Sequence, residues 1–262
     1  MKKIILFVLA LCLCFTAIGA ALAETAAAEA TETETSAAEA PAAETAATET
    51  TSAETPVEKP AAEMTAEELY QAAGQAYDAG DYGKTLEYLQ KGADLGDANA
   101  LYSLGYMYFS GEGVEQDYGK AFECYQKAAD LGDVMSMDYL GYLYYYGLGV
   151  EQDYHQALKY FRQAADLGSA LAYENLGILY RNGEGVEQDY AKALEYFSLA
   201  AEQGEPGAMF AIGECYHLGH GVKKDLDKAA KWYRRALDAG YEPDEEDQAH
   251  LKEVLGNAYQ QQ

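Results

Sequence analysis

Three kinds of feature in this chain carry residue types that could do chemistry. "GEGVEQDY" stands at 111–118, returns at 183–190, and appears as "GLGVEQDY" at 147–154. Two glycines around one residue, followed by a valine and an aspartate, could cradle a phosphate on backbone N–H groups. "CYHLGH" at 215–220 supplies Cys215, His217 and His220, the thiolate and imidazole donors that zinc accepts. His155 and His250 could serve as bases, and 44 Asp and Glu residues supply carboxylates.

None of these holds up as a catalytic or cofactor site. A phosphate-cradling loop follows a strand, opens a helix and, in its nucleotide-binding form, ends in Lys-Ser/Thr; that context is missing here. The Cys-His-His group has no fourth ligand in sequence, so His217 and His220 are expected to be solvated loop residues. Neither His155 nor His250 has a nucleophile nearby in sequence, and abundant carboxylates do not make a catalytic pair. No catalytic residue, metal or cofactor is expected.

The elements around these stretches explain them better. Asp117, Asp153, Asp189 and Asp225 stand at intervals of 36, a period that suits stacked helical hairpins. The glycine pairs Gly111/Gly113, Gly147/Gly149, Gly183/Gly185 and Gly219/Gly221 keep the same step. So do Gly105, Gly141, Gly177 and Gly213, and the aromatics Tyr125, Phe161, Phe197 and Tyr233. Full units run 98–133, 134–169, 170–205 and 206–241, after a shorter one at 66–97 that lacks the glycine-rich insertion. Residues 242–262 are expected to form a capping helix, with Leu251, Val254, Leu255 and Ala258 on its apolar side. Within a unit, Leu101, Leu104 and Tyr108 mark a one-sided first helix. Gly105 leaves room for close approach, Asp117 caps the second helix, and Gly132 ends it. "GEGVEQDY" is then the turn between the two helices, with Val114 plugging the core.

The ends and the composition narrow the setting. Lys2 and Lys3, the apolar run Ile4–Ile18 and the Ala21-Leu22-Ala23 cleavage site make 1–23 an export signal, with the mature chain starting at Glu24. An uncleaved N-terminal anchor is the competing reading. Residues 24–65, rich in Ala, Glu and Thr, are too poor in large apolar side chains to fold and read as a disordered acidic linker. The mature chain has no membrane span. A net charge of −26 argues against nucleic acid and anionic membranes, and favours a basic partner. Past the leader only Cys124 and Cys215 remain; they read as free, packed thiols.

These units resemble the Sel-one-like repeat (SLR) family of the tetratricopeptide superfamily. In the first full unit the matching residues are Ala100, Leu104-Gly105, Tyr108, Gly111-Glu112-Gly113-Val114, Asp117, Lys120-Ala121, Tyr125, Lys127-Ala128-Ala129 and Gly132. Residues 66–97 look more like an ordinary tetratricopeptide unit. The resemblance implies an all-α, right-handed α/α superhelical solenoid that acts as a non-enzymatic adaptor, exported and binding a protein or peptide in its groove. In such stacks the first helix of each pair lines the groove. By register this offers Tyr102, Tyr106 and Phe109, then Asp138, Tyr142 and Tyr145, then Glu174, Ile178 and Arg181, and finally Phe210, Glu214 and His217.

Three other readings stay open at this level. The tyrosines would equally suit a glycan or cell-wall ligand. Some exported relatives with a cysteine pair in each unit are credited with acting on β-lactams, but this chain lacks those pairs. The basic last unit, with Lys223, Lys224, Lys228, Lys231, Arg234 and Arg235, could meet an acidic partner or another copy of the chain.

Overall fold

The computed structural model describes residues 60–256. The expected export signal at 1–23, the linker up to residue 59 and the end of the capping segment at 257–262 lie outside the described residues. Defined local structure begins inside the segment expected to be a structureless linker. Ala61–Glu63 form a 3-10 turn, and Thr65 closes a capping box with Glu68. The reason is local: Thr65 and Glu68 satisfy two backbone N–H groups at the start of the first helix.

Five helical hairpins follow in a row. α1 (Ala66–Asp78) pairs with α2 (Tyr82–Asp94), and α3 (Ala98–Ser110) with α4 (Tyr118–Asp130). α5 (Val134–Tyr146) pairs with α6 (Tyr154–Asp166), α7 (Ala170–Asn182) with α8 (Tyr190–Glu202), and α9 (Pro206–Leu218) with α10 (Leu226–Asp238). Each second helix also packs on the first helix of the next pair, and α11 (Glu245–Leu255) closes the row on α10. All ten paired helices have 13 residues, so each is roughly 20 Å long and successive pairs stack in step.

The sequence starts and stops these helices by local chemistry. Asp81, Asp97, Asp117, Asp133, Asp153, Asp189 and Asp225 each accept a hydrogen bond from a first-turn backbone N–H, and Ser169 does the same for α7. Each cap of this kind contributes about 1 kcal/mol. α9 is the exception: Glu205 stands at its N-cap without a side-chain capping bond, and Pro206 follows.

The "GEGVEQDY" segment is a turn. Gly111, Gly147, Gly183 and Gly219 end the first helices in the left-handed conformation, with φ between 67° and 81°. The side chain of Gln116 reaches back and donates to the Phe109 carbonyl at 2.8 Å; Gln152 and Gln188 repeat this on Tyr145 and Arg181. The second glycine packs against the preceding unit. A Cβ on Gly149 would lie 2.6 Å from the Tyr118 carbonyl oxygen, and one on Gly221 would lie 2.5 Å from that of Tyr190.

The core is a column of aromatics. Tyr125, Phe161, Phe197 and Tyr233 are at most 1% exposed. Each ring lies over the glycine of its own first helix; a Cβ on Gly141 would fall 2.5 Å from Phe161. The glycine thus makes room for a ring rather than for a second backbone. Tyr125 also stacks on Tyr139 of the next unit, centroid to centroid at 4.7 Å, so the same ring serves the joint between units. At the far end, Leu251 of α11 is fully buried, and Val254 and Leu255 join the apolar cluster around Phe210 and Tyr233. The last unit therefore has its open face covered by its own chain.

Candidate binding face

The first-helix residues expected to face a ligand divide into three groups. Tyr102, Tyr106, Phe109 and Tyr142 form one half-buried aromatic group around Tyr139: Tyr102, Tyr106 and Phe109 lie 5.9, 6.3 and 5.2 Å from its ring centroid, and Phe109 lies 5.9 Å from Tyr142. Tyr142 and Tyr145 in turn flank Tyr146, at 4.5 and 4.8 Å. Tyr146 is 50% exposed and gives the group its outer surface. Burial pushes the Tyr142 hydroxyl up to about 12. Tyr145 donates to Glu184 at 2.8 Å, tying its unit to the next turn. Sequence reasoning missed Tyr139 and Tyr146. The run "YLYYYG" at 142–147 was a signal for Tyr146, because residue 146 is the last of its helix and faces outward; Tyr139 gave no such signal.

The second group is acidic. Asp138, expected in the groove, is 5% exposed, and its carboxylate accepts from the Ser169 hydroxyl at 2.6 Å. Burial pushes its pKa up to about 7, with the charges of Asp133 and Glu205 adding to the rise and the Ser169 bond opposing it. Half-buried Glu174 is likewise pushed up to about 7 by burial and by Glu205, against the pull of Arg181. Ile178 is half-buried and joins the apolar cluster of the last two units. Arg181 pairs with Glu214 across the joint at 2.9 Å.

The third group corrects the expectation for the last unit. Phe210 is 3% exposed, with its ring stacked on Tyr241 at 4.5 Å and close to Tyr233 at 4.8 Å. His217 is neither a solvated loop residue nor available to a ligand. It lies within α9, 1% exposed, 3.3 Å from the Tyr233 hydroxyl and 3.2 Å from Glu253, with the His250 ring at 5.3 Å. Glu214 also meets His250, at 3.3 Å. The cause is α11, which stands over this helix and satisfies its side chains. His220 stays half-buried in its loop, stacked on Tyr190 at 4.4 Å.

Among the described residues no group of three or more His, Cys, Asp and Glu is placed to hold a metal ion. Cys124 is half-buried and Cys215 buried, and burial pushes both thiols up to about 11, far from the thiolate that a nucleophile needs. Among the described residues no helix is long and apolar enough to cross a membrane.

Five hairpins stacked in register, joined by aromatic and polar contacts and presenting a row of first helices, define a right-handed α/α repeat scaffold of the tetratricopeptide kind. The chain belongs to the Sel1 repeat family, whose repeat model matches residues 69–97, 98–133, 134–169, 170–205 and 206–241. The short first unit, expected to be an ordinary tetratricopeptide unit, falls within the same repeat model. Its two 13-residue helices and aspartate cap keep the repeat even with the glycine-rich insertion gone.

Among solved structures the chain resembles c5321, a protective antigen of uropathogenic Escherichia coli with an SLR fold. Identity is 34% and the TM-score 0.66, over 72% of this chain and 40% of that one. A Sel1 repeat protein from Oxalobacter formigenes matches at 26% identity and TM-score 0.65, over 75% of this chain and 88% of that one. PilW, a type IV pilus biogenesis factor, shares the fold alone, at 19% identity and TM-score 0.51, over 74% and 87% of the two chains. No curated protein matches the chain significantly.

Proposed function

We propose that this protein is an exported, non-enzymatic adaptor that holds a protein or peptide against the first helices of its second to fourth hairpins. The observation that carries this reading is the continuous aromatic group from Tyr102 to Tyr146, half-buried at its base and open at Tyr146. Rigid tyrosines offer a large contact area at low entropic cost, which suits protein recognition. Repeat scaffolds of this family characteristically serve protein–protein interaction, and the export signal read at 1–23 supports a partner in the envelope or outside the cell. Residues 24–65, acidic and poor in large apolar side chains, would serve as a spacer.

A photo-crosslinking residue at Tyr146, with a second one at Glu195 as control, tests this reading in envelope extract. Glu195 lies on the exposed side of a second helix. A discrete protein adduct from position 146 alone supports the adaptor. Adducts from both positions alike, or from neither, refute it; a polysaccharide adduct from position 146 would make the ligand a glycan.

A further inference from the structure

At successive joints the fifth residue of a first helix reaches the N-cap of the next first helix. Asp138 meets Ser169, a carboxylate on a hydroxyl at 2.6 Å. One unit later Glu174 and Glu205 hold the same two places, so a second carboxylate stands where the earlier joint has a hydroxyl. The Glu174 carboxylate lies over Gly207 in the first turn of α9, where even a Cβ would collide with it. Glu205 does not cap that turn. Asp138 belongs to one unit and Glu174 and Glu205 to the next; the two joints are adjacent, and the charge of Glu205 raises the pKa of both Asp138 and Glu174.

The group is buried and incompletely satisfied. Asp138 is 5% and Glu205 8% exposed, and neither Asp138 Oδ1 nor Glu205 Oε2 has a hydrogen-bond partner among the described residues. Arg181 acts on Glu174 by charge, and its Nη1 donates to Glu214 at 2.9 Å. Buried carboxylates without partners are strongly unfavourable, and Ser169 shows that a serine would serve the fold at such an N-cap. Half-buried Glu174 opens the group to the first-helix face. In register the acids are flanked by Tyr102 on one side and Phe210 on the other. These donors are not arranged for a metal ion. Neighbouring carboxylates with unpaired oxygens suit a guanidinium, which is planar, weakly hydrated and able to make paired hydrogen bonds.

We infer that Asp138, Glu174 and Glu205 form an acidic pocket, ionised on binding, that anchors an arginine side chain of the segment bound along the first-helix face. This rests on the adaptor reading above and specifies its partner as a basic segment. Charge complementarity agrees, since the whole chain carries −26.

The test is an amide-shift NMR titration of the full chain with a terminally blocked hexapeptide containing two arginines. The same peptide with citrulline and calcium chloride alone form the other two arms. The expected result is saturable shifts at Glu205, Gly207 and Ala208 with the arginine peptide, and at least tenfold weaker binding with citrulline. Glu205→Ser should weaken the arginine peptide at least fivefold with helicity unchanged, while the exposed Glu195→Gln leaves it as it was. Equal binding of arginine and citrulline, an unaffected Glu205→Ser variant, or saturation by calcium alone would each overturn the pocket. If Glu205→Ser keeps the Tyr146 crosslink while arginine shows no preference, the anchor fails and the adaptor stands. Arginine binding without any crosslink gives the reverse.

Discussion

The carbonyl of Tyr118 occupies the space that a side chain at Gly149 would need, 2.6 Å from the ideal Cβ position. The contact joins the first residue of α4 to the turn of the following unit, and it recurs between Tyr154 and Gly185 and between Tyr190 and Gly221. The second glycine of each turn is thus a joint between repeats as well as part of a loop. At the end of the row the corresponding helix starts with Leu226, which is 46% exposed because no further turn sits on it.

Gly149→Ala should therefore destabilise the protein by roughly 2–4 kcal/mol, through a backbone clash added to a left-handed φ of 72°. Gly168→Ala has a similar φ of 89° but open space around it, so it should cost only about 1 kcal/mol. Chemical denaturation of both variants reads the difference, and equal losses would remove the inter-repeat role of Gly149.

Gly141 and Phe161 should behave as one packing unit. Phe161→Ala is expected to cost about 3–5 kcal/mol, and Gly141→Ala about 1–3 kcal/mol by forcing the ring aside. In the Phe161→Ala background the added methyl should enter the vacated space and cost nearly nothing. A double-mutant cycle by denaturation measures this coupling, and additive losses would show that the ring and the glycine are independent.

The acidic group makes stability fall as pH rises. Asp138 and Glu174 have folded-state pKa values raised to about 7, so the folded chain binds more protons than the unfolded one between about pH 4 and 7. Their favourable contribution is complete below the unfolded values and is lost as pH climbs through the folded ones. Glu205→Ser, which recreates the Asp138–Ser169 type of joint, should flatten this loss and raise the melting temperature at pH 7.5 more than at pH 4.5. Melting curves of the two proteins across that range decide it, and parallel pH profiles would contradict it.

Leu251→Ala should cost about 2–4 kcal/mol, although α11 lies outside the repeats, because the side chain is fully buried over the last unit. Native-state thiol labelling with Ellman's reagent at pH 7 should be slow at both cysteines, with Cys124 ahead of buried Cys215. In the Leu251→Ala variant Cys215 should label faster as the cap loosens. Unchanged labelling would mean that α11 does not protect α9.

The sequence by itself determined the units, their helices and their turns, because those features are local. An aspartate three residues before a free N–H, a glycine just after a helix, and a period of 36 in the aromatics specify a hairpin with no knowledge of its neighbours. Register also showed which residues share the first-helix face. What each of those residues meets depends on the unit stacked against it, about 31 residues away or more. Tertiary structure alone made Tyr139 the hub of the aromatic group, set Glu174 against the first turn of α9, and buried Phe210 and His217 beneath Tyr241 and α11. A repeating sequence places equivalent residues at equivalent points, but burial follows from the surface that packs on them, and the last unit meets a cap instead of another copy.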